Sequence, residues 1–190
     1  MITMDSLKKY IAFITLVFTI SVISGCVYAV SNPSESARMV QELGTTFEWI
    51  KDLNPLLIVS VIFLNNALKA LLVIIFGMLI IIPIGFIIYN GYLLGIVMCE
   101  CARTSGPVYV AAAILPHGII ELPMILLSAA LGTRLGMMTF SRIKKEVSNE
   151  DVLSELKRSI SFYFRWILPL LFIAAVIETL ITPIVQYLLG

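Results

Sequence analysis

The only histidine of the chain lies four positions before a glutamate, inside an apolar run of residues. On a helix, His117 and Glu121 share a face and are close enough to touch. Ionisable groups are costly in a membrane and usually mark a partner or a function. Three interpretations stay open: a buried hydrogen bond between helices, a proton- or ion-coupled site in which Glu121 titrates, and a metal site. Two ligands are too few for a closed zinc site, so no metal and no cofactor is predicted, with His117 and Glu121 as weak metal candidates.

Further polar residues lie in apolar runs elsewhere in the chain. Asparagine in lipid seeks hydrogen bonds across helices, so these residues either hold helices together or line a ligand site. The predicted intramembrane polar site therefore adds to His117 and Glu121 the residues Asn65, Asn66, Lys69 and Asn90. Two small-residue pairs allow close helix packing, Gly91 with Gly95 and Gly132 with Gly136.

The elements that must position these residues follow from composition. The chain has 190 residues, of which 59% are hydrophobic and 13% are charged. Between residues 53 and 133 there are only four charged residues. The apolar runs are continuous and lack the alternation of barrel strands, which favours helices over a barrel. We therefore predict an all-α polytopic membrane protein, with the lipid bilayer as a partner and no nucleic-acid binding.

Helices of about 20 apolar residues are needed to cross a bilayer. Five spans fit, in a single transmembrane domain over 1–190, and the fourth is expected to be broken by proline, or re-entrant, around 115–123. An amphipathic segment at 31–52 is placed on the outer surface, and a basic connector at 137–161 on the cytoplasmic side. The predicted spans are 10–30, 54–78, 84–102, 107–133 and 162–187.

Orientation is predicted from lysine and arginine in the short loops. The segment 134–165 carries seven basic residues against four acidic ones, whereas the segment 31–52 carries two against four. This asymmetry predicts a multi-pass protein of the cell membrane with a cytoplasmic N-terminus. A competing interpretation makes the first apolar run a lipoprotein signal with Cys26 as its attachment site, and three cysteines do not make a disulfide framework.

Three stretches of this sequence resemble the stage II sporulation protein M family. The most specific is LPHGIIELPMILLSAALGTRLG, at residues 115–136. It is preceded, in the family's order, by FLNNALKALLVIIFG at 63–77 and YNGYLLG at 89–95. The resemblance implies an integral membrane protein, and the sporulation member is regarded as a scaffold that works with a lytic peptidoglycan enzyme and another membrane protein. It supplies no settled role for the matching polar residues.

The residues and the resemblance together predict a non-enzymatic envelope scaffold or assembly subunit. Neither a phosphate-binding loop nor a hydrolase motif is present in the sequence. A homo-oligomer is expected, most simply a dimer packed through the glycine pairs. The segment 141–160 is either a membrane-hugging connector that only meets anionic headgroups or a docking surface for a membrane or cytoplasmic protein. The alternative is an ion or small-solute transporter, or a permease subunit, with its site at His117 and Glu121.

Overall fold

The computed structural model describes residues 4–46 and 48–189, with the side chains of residues 4–6, 51, 117, 186 and 189 outside the description. All regular structure in these ranges is helical. The α-helices are α1 Met4–Ser31, α2 Pro33–Thr46, α3 Pro55–Ile75, α4 Ile81–Ser105, α5 Pro107–Ile143, α6 Asn149–Phe162, α7 Leu168–Leu180 and α8 Thr182–Leu189. Short 3-10 helices cover Glu48–Asp52 and Phe76–Met78, and a π-helical turn, Tyr163–Ile167, joins α6 to α7.

Five helical stretches in the described ranges are long and apolar enough to cross a bilayer. The predicted class, an all-α polytopic bundle of about five spans, is confirmed. Alternating crossings place the start of α1 and the turn between α5 and α6 on one side, called here the N-terminal side. They place α2 and the connection between α4 and α5 on the other, called here the α2 side. The stretches are Leu7–Ser31, Pro55–Met78, Ile81–Ser105, Gly118–Ile143 and Asn149–Val185.

The predicted break around 115–123 is wrong. The α5 helix runs without interruption from Pro107 to Ile143, with Pro116 and Pro123 inside it. Each proline removes one backbone N–H from the hydrogen-bond ladder and crowds the carbonyl four residues earlier, which strains the helix but does not end it here. In a membrane the flanking apolar residues have no better alternative than to stay helical, because an open backbone would lack partners.

Two helix starts show how local sequence sets the boundaries. The side chain of Asn54 accepts a hydrogen bond of 3.0 Å from the Leu57 backbone N–H, with Pro55 in the first turn of α3. At α6, the Ser148 hydroxyl accepts from the Asp151 N–H at 3.1 Å, and the Asp151 carboxylate accepts from the Ser148 N–H at 2.9 Å. This reciprocal capping fixes the start of α6 after Ser148.

Glycines form the two closest helix crossings. Gly91 and Gly95 of α4 lie against the α1 backbone at Phe18 and Val22, so α1 and α4 run side by side in the same direction. Gly132 and Gly136 of α5 lie against the end of α3 around Gly77. The glycine pairs therefore pack helices within one chain, and they do not form the dimer surface that the sequence suggested.

The core lies where α3, α5 and α7 meet. Ile74, Ile167 and Leu171 are fully buried there. The hydroxyl of Tyr163, in the π-helical turn, donates a 2.9 Å hydrogen bond to the Ala67 carbonyl of α3. Of the five membrane-length helices, α5 is the most deeply buried, so it is the central helix and the one that carries the candidate site.

Candidate intramembrane polar site

Charged residues from three helices meet beside the centre of α5. Glu121 of α5 is partly buried and interacts electrostatically with Glu178 of α7 and Lys69 of α3. Lys69 and Glu121 lie at the same depth, because each is about 21 Å along a helix that begins on the α2 side, at 1.5 Å per residue. The structure thus brings together two of the predicted residues and adds Glu178, which the sequence analysis did not select.

The α3 helix carries the exposed part of this cluster. Asn65 and Lys69 are one turn apart and both are exposed on the bundle surface, while Asn66 is partly buried. The Asn65 amide donates to the Asn66 side-chain carbonyl at 3.3 Å. We call Asn65, Asn66 and Lys69 the α3 polar stripe. Within the described residues, Lys69 makes no hydrogen bond and no ion pair within 4 Å.

Asn90 does not join this cluster. It lies on α4, where its amide donates a 2.7 Å hydrogen bond to the Phe86 carbonyl of the same helix. Its polar group is thus satisfied locally. Its place in the intramembrane site, predicted from residue type alone, has no support from the geometry.

The predicted pair of His117 and Glu121 stays a prediction. Both residues belong to α5, one turn apart, but the His117 side chain lies outside the described part of the structure. Among the described residues, no group of three His, Cys, Asp or Glu side chains is arranged to hold a metal ion. Neither the hydrogen-bonded nor the ion-coupled interpretation is decided by this arrangement.

A buried ion pair near the N-terminal side was missed by the sequence analysis. Arg134 of α5 donates to a Glu155 carboxylate oxygen of α6 at 3.0 Å, and both side chains are 5% exposed. The sequence analysis counts Arg134 only as one of the basic residues of the segment 134–165, because it follows the long apolar run. The spacing of the two residues indicates the pair. Arg134 and Glu155 are equally far from the turn of the hairpin at Lys144–Lys145, so they face each other across the hairpin.

The face of α6 that packs on the bundle carries polar residues. Glu155 and Ser159 are buried, whereas Leu153 is 50% exposed. The Nε atom of Arg134 and the hydroxyl of Ser159 are buried without a hydrogen-bond partner among the described residues. The helix therefore turns two polar residues toward the bundle, and one of its leucines faces outward.

A second polar cluster lies at the α2 side. Glu100 of α4 is 5% exposed and accepts a 3.0 Å hydrogen bond from Ser36 of α2. Arg103, one turn later in α4, contacts both Glu100 oxygens, at 2.7 and 2.8 Å. The cluster ties the amphipathic α2 to the end of α4. Nearby, Cys26 of α1 and Cys99 of α4 are paired as a disulfide with Cα atoms 5.4 Å apart, a pairing that the sequence analysis had not predicted.

Comparison with known proteins bears on the whole of this arrangement. A profile of the family described as stage II sporulation protein M matches residues 14–183. The chain belongs to this family. The match takes in all five membrane-length helices almost completely, together with the α3 polar stripe, Glu121, Arg134 and Glu155. The family resemblance noted from three sequence stretches is confirmed, and it extends far beyond them.

The chain is similar to an uncharacterised protein, MJ0793, of Methanocaldococcus jannaschii. It is 34% identical over 109 residues, which cover 54% of this chain and 58% of the relative. The chain thus spans less than two thirds of that relative's length. No solved structure matches the chain. What these comparisons show is a membrane protein like stage II sporulation protein M.

Proposed function

We propose that this protein is a non-enzymatic assembly subunit of the cell membrane, a scaffold whose α3 polar stripe binds a transmembrane helix of another subunit. The observation that carries the proposal is the exposure of Asn65 and Lys69 on the outer surface of the bundle. They lie amid exposed leucines, of which Leu64 and Leu68 are the nearest. An assembly role also agrees with what the family resemblance implies.

The physical argument rests on the cost of polar groups in lipid. A lysine at the centre of a membrane helix costs about 2.5–3.5 kcal/mol on insertion scales, and an amide without partners adds to this. A neighbouring helix that supplies hydrogen bonds recovers part of the cost, at about 0.6–2 kcal/mol for each bond. The stripe is therefore more stable when covered by protein than when it faces hydrocarbon.

A second copy of this chain is the proposed occupant, most simply in a two-fold dimer. An asparagine can both donate and accept, so Asn65 of one copy complements Asn65 of another. The glycine faces of α4 and α5, which could otherwise form a dimer surface, already pack against other helices of the same chain. A different protein partner is proposed at the segment 141–160, where Leu153 is exposed among charged residues.

The alternative function, an ion or small-solute transporter or permease subunit, is favoured by one observation. Two ionisable groups, Glu178 and Lys69, lie within electrostatic reach of Glu121 inside the membrane-length helices. Such groups are typical of ion and proton pathways. In this reading the exposed stripe would face a pathway rather than a partner helix.

A measurement of dimerisation distinguishes the assembly subunit from the transporter. The double variant Asn65→Leu with Lys69→Met removes the polar groups of the stripe, and we expect its dimer affinity in lipid nanodiscs or detergent to fall by about threefold to thirtyfold, the range of one lost hydrogen bond. The measurement is mass photometry over a concentration series.

The control is Thr19→Val. Thr19 is another exposed polar residue of a membrane-length helix, but its hydroxyl already donates to the Thr15 carbonyl at 2.9 Å. We expect its dimer affinity to match that of the wild type. A wild-type protein that stays monomeric, or a stripe variant that dimerises normally, would contradict the proposal. Ion flux into liposomes that is lost in Glu121→Gln would then support the transporter.

A further inference from the structure

An apolar groove opens on the bundle surface where α1, α4 and α5 meet at the α2 side. Its volume is about 340 Å³, and its walls include Met98, Ala102, Val110 and Ala111. Cys26 and Cys99 also line it, and every other lining side chain is apolar. Pro107 and Leu115, which also line it, are exposed, so the groove is open sideways to the surroundings of the helices.

The groove has the depth of one lipid leaflet. From Pro107 to Leu115 it extends about 12 Å along α5, at 1.5 Å per residue. Half of a bilayer's hydrocarbon core is about 15 Å thick. Because α5 begins at Pro107, on the α2 side, the groove runs inward from the level of the headgroups and follows the direction of a lipid hydrocarbon chain.

A second cavity, of about 240 Å³, shares Cys99 with the groove and is bordered by Pro33, Glu100 and Arg103. Arg103 is 52% exposed, while the Glu100 side chain beneath it is 6% exposed. One nitrogen of Arg103, Nη2, contacts both Glu100 oxygens and, at 3.4 Å, the Pro33 carbonyl. Its Nε and Nη1 groups donate to no other described residue.

This arrangement holds a guanidinium in place with some of its N–H donors free. The buried carboxylate of Glu100, itself fixed by Ser36, anchors Arg103 from below. Since guanidinium has five N–H donors and Glu100 and Pro33 contact only Nη2, the N–H groups of Nε and Nη1 remain available to a ligand. Each of them can donate a charge-assisted hydrogen bond to a phosphate oxygen.

We propose that this site binds one anionic phospholipid, with a hydrocarbon chain in the groove and its phosphate on Arg103. The apolar walls match the chain, and the free N–H donors of the Arg103 guanidinium at the mouth complement the negative headgroup. A zwitterionic lipid offers the same chains and phosphate but adds a positive group close to Arg103, so it binds less tightly. The proposal does not depend on the assembly role, because the α3 polar stripe lies on a different helix.

Native mass spectrometry of the purified protein tests the site. The protein is incubated with equimolar phosphatidylglycerol and phosphatidylcholine of identical chains. We expect the wild type to retain phosphatidylglycerol about fivefold more, the effect of one arginine near an anionic lipid surface. In Arg103→Gln this preference disappears. Where that variant fails to fold, the double variant Arg103→Gln with Glu100→Gln serves, because it removes the positive charge without leaving a buried carboxylate unpaired, and the same loss of preference is expected.

Two further variants separate the headgroup from the chain. Arg38→Gln is the matched control, because Arg38 is an exposed arginine on the same side whose guanidinium pairs with Glu42 at 3.0 Å. We expect it to keep the preference. Ala111→Phe fills the groove without touching the ion pair, and we expect it to lower retention of both lipids. Equal retention of the two lipids by the wild type, or unchanged retention in Ala111→Phe, overturns the proposal.

Discussion

Arg134 and Glu155 are opposite charges that face each other in the packed interior between α5 and α6. Removing two charges from water carries a large desolvation cost, which their mutual attraction only roughly offsets. The pair is therefore a weak source of net stability. Each partner is nevertheless needed by the other, because a single buried charge left alone is strongly unfavourable, and Arg134 already has an Nε without a described partner.

From this we predict that the Arg134→Met and Glu155→Leu variants each destabilise the protein by about 3–5 kcal/mol, and that the double variant loses less than the sum. The measurement is a double-mutant cycle of the free energy of unfolding in mixed micelles. The exposed pair Arg38 and Glu42 is the control, for which we expect a coupling of about 0.3–0.5 kcal/mol. Similar coupling in the two pairs would contradict the buried arrangement.

At the scale of the helices, close packing depends on a few positions without a side chain. Gly77, Gly132 and Gly136 allow the end of α3 to approach the α5 backbone directly. A Cβ atom on Gly132 would overlap the Val73 carbonyl oxygen, which belongs to helical backbone and cannot rotate away. The two helices would have to separate, with a loss of packing along the crossing.

We predict that Gly132→Ala lowers stability by about 1–3 kcal/mol, the range for overpacking a filled core. Gly85→Ala is the matched control. Gly85 is also inside a membrane-length helix, but nothing lies within 4 Å of an added Cβ there. We expect this control to gain about 0.5–1 kcal/mol from the better helix propensity of alanine. Equal effects of the two substitutions on the thermal midpoint would disprove the crossing.

For the whole molecule, two independent features favour the same orientation. The basic residues concentrate around the turn between α5 and α6, on the N-terminal side, which favours the cytoplasm. The Cys26–Cys99 pair lies at the opposite end, toward the α2 side. Disulfides persist in oxidising surroundings, which are found outside the cytoplasm. We therefore propose a cytoplasmic N-terminus and an external α2.

Labelling of intact cells with a membrane-impermeant maleimide checks this orientation. In a variant without the native cysteines, Glu42→Cys on α2 is expected to react, and Lys157→Cys on α6 is expected to be protected until the cells are opened. Both positions are exposed in the structure, so accessibility within the fold is matched. Reaction of both from the same side would refute the five alternating crossings.

The sequence by itself determined the class of the protein and most of its local boundaries. A composition with four charges between residues 53 and 133 leaves no alternative to membrane helices. The capping box at Ser148 marked the start of α6, and three motif stretches were sufficient to indicate the family. These features depend on composition or on neighbours along the chain, so they can be recognised without knowing the fold.

Which faces meet was decided only by the tertiary structure. In a soluble helix, an apolar stripe indicates the buried side, but in a membrane the lipid and the core are equally apolar. The pattern therefore did not show that Gly132 faces Gly77, that Asn90 lies apart from the α3 polar stripe, or that α6 buries Glu155 rather than Leu153. Those choices depend on how residues distant in the chain fit together, and only their packing in three dimensions sets them.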